Sequence, residues 1–248
     1  MEKLRFNEQR GKIAVLVVWI MLSVDVLMGL SNYFQYRMIL GWENGEMYSM
    51  EAAQANDSRQ IWIAVLMVII FVVHFVTFIM WFRRAYFNLH LRVRNLEHSE
   101  GWAAGSWFVP FVNLYMPYQI MRELYLETYA LLGGKKGQYP ENYTTAYVGW
   151  WWFLVIVTSI ASRIDSFYAR GAEEIPELIT SSLISAISSL LEIPAALLTV
   201  KVIGDYMKTE RLLLEQESEE EALALEQGYF FEDDRKDGHE IVASEPSQ

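Results

Sequence analysis

The chain has 248 residues, of which 53% are hydrophobic and 15% aromatic, too apolar for soluble domains of this size and pointing to lipid. Cysteine is absent, which excludes disulfides, thiol nucleophiles, Cys-ligated zinc or iron–sulfur and a lipidated cysteine. The net charge of −11 is local, because residues 205–248 hold 14 acids against 4 bases, an acidic tail that is either plainly solvated or an arm for a basic partner, and nucleic acid is not an expected partner.

In chain order, Ile13–Leu30 is the first apolar run, interrupted only by Ser23, Asp25 and Gly29. Lys3, Arg5, Arg10 and Lys12 precede it as in a signal peptide, but the run is long and no A-x-A-like site follows, so it reads as a retained anchor. Ile61–Phe82 is the second run, with His74 and Thr77 as its clearly polar members. At 1.5 Å per residue each run spans about 30 Å.

Trp102–Met121 is apolar enough to suggest another crossing, yet it carries Pro110, Asn113, Pro117 and Gln119. Each proline removes a backbone donor and disfavours a continuous helix. Residues 101–117 therefore read as a broken, re-entrant or interfacial segment, followed by an amphipathic helix from Tyr118 to Leu132. Met121, Leu124, Thr128 and Leu131 share one side of it, Arg122, Glu123 and Glu127 the other, and Gly133-Gly134 ends it. The last two runs are Tyr147–Ser162, with the Trp150-Trp151-Trp152 cluster, and Ile179–Val200, with Glu192 inside it.

Loop charge decides between four and five crossings. With four and the N-terminus inside, 16 Lys and Arg lie on the cytoplasmic side and 4 outside; a fifth crossing at 102–121 would make the split 10 to 10. The positive-inside rule favours four. The expected fold is thus all-α, a polytopic membrane helix bundle with helices near 13–32, 61–82, 147–163 and 179–203, an interfacial segment at 101–132 and both termini cytoplasmic. Residues 1–204 form the membrane domain, 33–60 and 163–178 its outer loops, 205–227 a helical extension and 228–248 an acidic disordered tail.

The middle segment also carries a recognisable pattern. Trp107, Phe108, Pro110, Asn113, Leu114, Pro117, Glu123, Leu124 and Tyr125 follow W-F-x-P-x-x-N-L-x-x-P-x-x-x-x-x-E-L-Y, and Arg84–Leu89 reads R-A-Y-x-N-L. Together they resemble a bacterial membrane family known as domain of unknown function 4328, over roughly residues 10–205. The resemblance implies a membrane fold and the inner membrane of a bacterium. It implies no activity and no functional residues, and the acidic tail lies outside it.

Polar residues within a bilayer are costly and mark functional or helix-pairing positions. Asp25 shares a face with Gly29, Asn32 and Tyr36, as the wall of a polar pocket or as a helix–helix hydrogen bond. His74 heads a stripe with Thr77, Trp81, Arg84 and Asn88, and is either a proton acceptor or an interhelical hydrogen bond. Glu192 follows Ser181, Ser185 and Ser188 on one face, and Pro194 beyond it frees the Leu190 carbonyl. Equal depth suggests a His74–Glu192 couple. Arg83, Arg84, Arg92 and Arg94, just beyond the second run, are topology determinants or headgroup contacts.

No catalytic, nucleotide or metalloprotease motif is present, and a bis-His haem would need a second intramembrane histidine. His90 and His98, with Glu97 and Glu100, match no usual metal spacing, so no cofactor or metal is expected. Three function classes remain: a non-enzymatic scaffold or regulatory subunit of a membrane complex, a small proton- or ion-coupled transporter or channel using Asp25, His74 and Glu192, and a lipid-modifying enzyme using Asn113, Glu123 and His90.

Overall fold

The computed structural model describes residues 3–133, 144–172 and 174–240. Its helices are α1 Glu8–Glu43, α2 Met50–His90, the short α3 Trp102–Gly105, α4 Met116–Leu131, α5 Thr145–Gly171 and α6 Ile175–Glu240, and among the described residues there is no strand. Helices α1, α2, α5 and α6 are long and apolar enough to cross a membrane. The fold is the all-α, four-span bundle that the sequence predicts.

The helices outrun the apolar stretches. α1 has 36 residues and α2 has 41, about 54 and 62 Å at the helical rise, against about 30 Å of hydrocarbon. The segments expected as outer loops, 33–60 and 163–178, are therefore mostly helix. Polarity marks where a helix leaves the apolar layer, but only a breaker ends it, and residues 33–43 contain no proline. The chain turns at Asn44-Gly45, and Ser49 then caps α2 by accepting from the Ala52 amide at 3.2 Å. α6 takes Pro194 into its interior without breaking, and its backbone stays helical past Gly228, where the sequence suggests a tail, as far as Glu240. Residues 241–248 of that expected tail lie outside the described residues.

The middle segment is broken as its prolines predict. After α3 come turns, a 3₁₀ turn at Val112–Leu114, and α4, whose first turn contains Pro117. Gly133, at φ +70°, closes α4 by donating its amide to the Ala130 carbonyl at 2.9 Å. One amphipathic assignment needs correcting. Met121, Leu124 and Thr128 are buried as expected, but Glu123 is not turned out with exposed Arg122. It reaches back to the α2–α3 connection, as described below.

α1 packs on α2 and α6, and α6 packs in turn on α5. The register of the antiparallel α1–α6 pair is fixed along its length: Asn7 meets Glu210, Gly11 meets Met207, and Gly29 meets Ser189. A Cβ at Gly11 would lie 2.0 Å from Met207 Sδ and 3.1 Å from the Trp81 ring, so a larger residue there would have to displace the Met207 side chain. The core gathers at one end of the bundle, around Phe78, Trp81, Phe82, Tyr86, Met121, Tyr125, Trp151, Ile203 and Tyr206. We call this the motif end and the opposite one, with the α1–α2 and α5–α6 connections, the loop end.

Candidate functional site

At the motif end Tyr86 and Asn88 of R-A-Y-x-N-L and Trp107, Glu123 and Tyr125 of the proline-containing pattern are spent on one another and on distant parts of the chain. Asn88, on the inward stripe of α2, pairs with the backbone of Arg5: its Oδ1 accepts from the Arg5 amide at 3.0 Å and its Nδ2 donates to the Arg5 carbonyl at 2.8 Å. The same Nδ2 donates to Glu210 Oε1 at 2.7 Å. Asn7 donates to Glu210 Oε2 at 3.1 Å and to the Trp81 carbonyl at 3.4 Å. Glu210 is only 4% exposed. Burial pushes its carboxyl above the usual range, while the Asn88 and Asn7 hydrogen bonds and the Arg84 charge pull the other way. Three elements with no sequence proximity thus meet at one carboxyl.

A second junction holds the middle segment. The Tyr86 hydroxyl donates to Glu123 Oε2 at 2.6 Å and lies 2.9 Å from the His98 carbonyl, and Glu123 Oε1 accepts from the Glu97 amide at 2.6 Å. Burial, and then the Glu123 hydrogen bond, push the Tyr86 hydroxyl up. His90 lies edge-on to Tyr86, with ring centroids 4.7 Å apart. Tyr125 donates to the Val202 carbonyl at 2.8 Å, Trp151 Nε1 to Thr199 at 3.1 Å, and Trp152 Nε1 to the Leu114 carbonyl at 2.9 Å. Trp107 packs against Phe75, Phe78, Phe82 and Trp152. Pro117 is buried at the start of α4, Pro110 is exposed in the turn before it, and Asn113 is half-buried.

Of the four arginines expected at headgroup level, Arg92 is taken up by both carboxylate oxygens of Glu217, one at 2.7 Å. Arg83 lies 3.4 Å from Glu100 and Arg94 is exposed. Arg84 sits among Arg10, Arg5 and Arg83.

The intramembrane candidates separate. Asp25 is 3% exposed with Oδ2 unpartnered, and lies within electrostatic reach of Glu192 on α6. Gly29, one turn on, lets α6 approach at Ser189. His74 stands apart. Its Nδ1 has no hydrogen-bond partner, its ring neighbour is Phe78 at 6.2 Å, and no hydrogen bond or ion pair joins it to Glu192. Equal depth does not bring two residues together: α1 packs against both α2 and α6, and the acid within electrostatic reach of Glu192 is Asp25 of α1. Along the same α6 face, Ser185 donates to Asp165 of α5, a carboxylate the sequence reading passed over.

Nearer the loop end a concavity of about 1010 Å³ between α5 and α6 is lined by Arg163, Ser166, Tyr168, Arg170, Glu177 and Thr180. It contains none of the predicted site residues. Among the described residues no three His, Asp or Glu side chains are grouped to hold a metal ion.

The Asn7–Asn88–Glu210 junction is what sequence reasoning missed. A signal was available, since Ile203, Tyr206, Glu210 and Leu213 recur at 3, 4 and 3 residues, placing an acid on the apolar stripe of α6.

Residues 44–208, about two thirds of the chain, match the family described as Domain of unknown function (DUF4328). The chain belongs to that family. The match takes in α2, α4, α5 and the span of α6 and leaves out α1, narrower at its start than the 10–205 suggested by the motif alone. Glu210 lies two residues past its C-terminal end and Asn7 well before its start, while their common partner Asn88 lies inside. No curated protein and no solved structure matches the chain.

Proposed function

We propose that this is a non-enzymatic scaffold or regulatory subunit of a complex in the bacterial inner membrane, with the motif end and both termini on the cytoplasmic side. One observation carries the reading: four polar side chains of the family pattern are consumed in joining distant segments, Asn88 to Arg5 and Glu210, Tyr86 to Glu123, and Tyr125 to α6. A pattern used this way maintains a shape. Catalysis would need a nucleophile and base within reach of each other and of substrate, and Glu123, the best acid of the lipid-enzyme reading, is already engaged by Tyr86 and Glu97.

The partner-facing element is the far part of α6. With 66 residues the helix runs about 100 Å, and beyond Glu217 its acids at Glu219, Glu220 and Glu221 are exposed. A photo-crosslinking residue at Glu220 in whole cells is expected to give a discrete adduct with a second protein, and one at Tyr33 none. Equal labelling at both positions, or none at either, would remove the reading. The 16 to 4 distribution of Lys and Arg supports the orientation. Because the chain has no cysteine, single-Cys variants test it without background: impermeant reagent reaches positions 44 and 171 from outside and position 95 only after permeabilisation.

Residues 101–117 fit a re-entrant placement. Phe108 packs edge-on against Phe75 at 5.5 Å, seven residues before Phe82 and so about 10 Å back along the α2 span. Phe108 and Phe111 are 67% and 81% exposed, apolar surface that lipid would cover. A cysteine at Phe111 should resist impermeant reagent from both sides; ready labelling would place the segment in water.

A second reading, ion or proton coupling, is favoured by Asp25, a buried carboxyl with an unpartnered oxygen, within electrostatic reach of Glu192 on α6. It requires that Asp25→Asn and Glu192→Gln each abolish a proton- or ion-dependent flux in vesicles while leaving melting unchanged. Unaltered flux in both would end it.

A further inference from the structure

We propose that Arg5, Arg10, Arg83 and Arg84 form a binding site for the phosphodiester of an anionic phospholipid headgroup, at the level where α1 and α2 emerge from the bilayer at the motif end. The four come from two segments that the fold clamps together. Arg5 is fixed by its backbone pairing with Asn88 and by its guanidinium lying 4.1 Å from the centre of the Phe87 ring. Arg10 donates to the Met80 carbonyl at 3.1 Å, which ties it to the last turn of the apolar run of α2. Arg84 lies between these anchors, on the inward stripe shared by Trp81 and Asn88.

Around Arg84 the charged neighbours among the described residues are mostly positive. Arg84 is within electrostatic reach of Arg10, Arg5 and Arg83, and of Glu100 and Glu210 on the other side. Burial and the three neighbouring guanidiniums hold it below its ordinary range, yet an arginine stays charged. Among the described residues no carboxylate forms an ion pair with Arg84, and the only ion pair to Arg83 is the 3.4 Å contact with Glu100, with Arg83 60% exposed. Like charges assembled on a rigid frame are stabilised by an anion that several guanidiniums can share, and phosphate suits the planar donor fork of arginine.

The surroundings say which phosphate. One and two turns back along α2 from Arg84 lie Met80 and Val76, both exposed, and the residues following Arg10 on α1 include exposed Ile13 and Leu16. Positive charge at the end of a span with open apolar surface beside it matches an amphiphile with an anionic head and acyl tails. A soluble phosphate would leave that apolar surface unused. Arg92, held by Glu217, takes no part, and exposed Arg94 is outside the cluster.

The test uses the full chain in mild detergent, titrated with phosphatidylglycerol or phosphatidylcholine of matched chains and read by native mass spectrometry, with melting in the same detergent as a fold control. The wild type is expected to retain one phosphatidylglycerol at least tenfold more tightly than phosphatidylcholine. The double variant Arg10→Gln/Arg84→Gln should lose about thirty-fold, the factor for two cations near a charged surface, and Arg94→Gln should lose none. Equal retention of the two lipids overturns the proposal, as does an Arg94→Gln loss as large as that of the double variant. Displacement of the bound lipid by millimolar inorganic phosphate would overturn the lipid assignment. Should the double variant fail to fold, exposed Arg83→Gln is read in its place: severalfold weaker phosphatidylglycerol binding at unchanged melting supports the site, and unchanged binding overturns it.

Discussion

The two ends of the bundle are built on different principles. At the motif end, aromatic rings interlock and side-chain hydrogen bonds join residues 83 to 203 positions apart in the chain, as in Asn88 to Arg5 and Asn7 to Glu210. Toward the loop end, α1, α5 and α6 meet through small and polar residues, with Gly29 against Ser189, Ser185 bonded to Asp165, and Asp25 buried with an unpartnered oxygen. Arg59, which bonds Ser31 at 2.9 Å and Asn56 at 2.6 Å, is the loop end's own cross-link between α1 and α2. In lipid, apolar packing alone gives little preference for one helix neighbour over another. A dense end that fixes neighbours and register leaves the other end free to hold groups that would destabilise a bundle assembled without it.

The contrast should be largest for truncations. Trp81→Ala removes a fully buried ring that touches Phe78, Phe82 and Tyr206 and is expected to cost about 3–5 kcal/mol in detergent unfolding. Leu190→Ala, at a residue 65% exposed to lipid within α6, should cost under about 0.5 kcal/mol. Comparable losses would mean that the ends do not differ in packing.

Glu210 offers a graded test. Glu210→Ala strands the Asn7 and Asn88 amides and should cost about 2–4 kcal/mol, read as lost stability and as new protease cleavage near Arg5. Glu210→Gln should keep most of the closure, because its amide can donate to Asn7 Oδ1, which is buried and unpartnered, once the Asn7 side chain turns. The pH dependence has a definite sign. Burial raises the native carboxyl above the ordinary carboxylate value of about 4.5, so in the window above that value the folded protein holds a proton that the unfolded chain has released. The stability Glu210 contributes is therefore full below the unfolded value and is lost as pH rises through the native one. Glu210→Gln should flatten this slope, and an identical slope in the variant would show that other groups set it.

A more local effect is expected at the second junction. Tyr86→Phe leaves Glu123 without its hydroxyl donor and should cost about 1.5–2 kcal/mol. Its signature is faster amide exchange at Glu97, whose N–H is held by the same carboxylate, with no change in the loop-end part of α1.

Much of the bundle's architecture was legible in the sequence, and much of the motif end's chemistry was not. Apolar runs located all four spans because a bilayer imposes length and polarity on each helix separately, and the prolines at 110 and 117 foretold the broken segment. Helix ends were misjudged, since Arg37 and Glu43 are polar without being breakers. Which helix meets which is a property of three dimensions: His74 and Glu192 share a depth, yet the acid within electrostatic reach of Glu192 is Asp25. Asn7 and Glu210 looked like ordinary flanking polar residues, and only the position of Glu210 on an apolar stripe distinguished it. The headgroup arginines were half legible, because Arg83 and Arg84 adjoin the span, while Arg5 and Arg10 join them only through the Asn88 clamp.

Hydrogen–deuterium exchange of wild type and Asn88→Ala, in the same detergent, tests most directly whether the family pattern is a clamp closing the motif end. The variant should lose protection together at residues 5–11 and 203–213, the two segments that meet at this junction, while residues 25–32 and 185–192 keep theirs. Unchanged protection around Arg5 and Glu210, or a uniform loss along all four helices, would contradict the account.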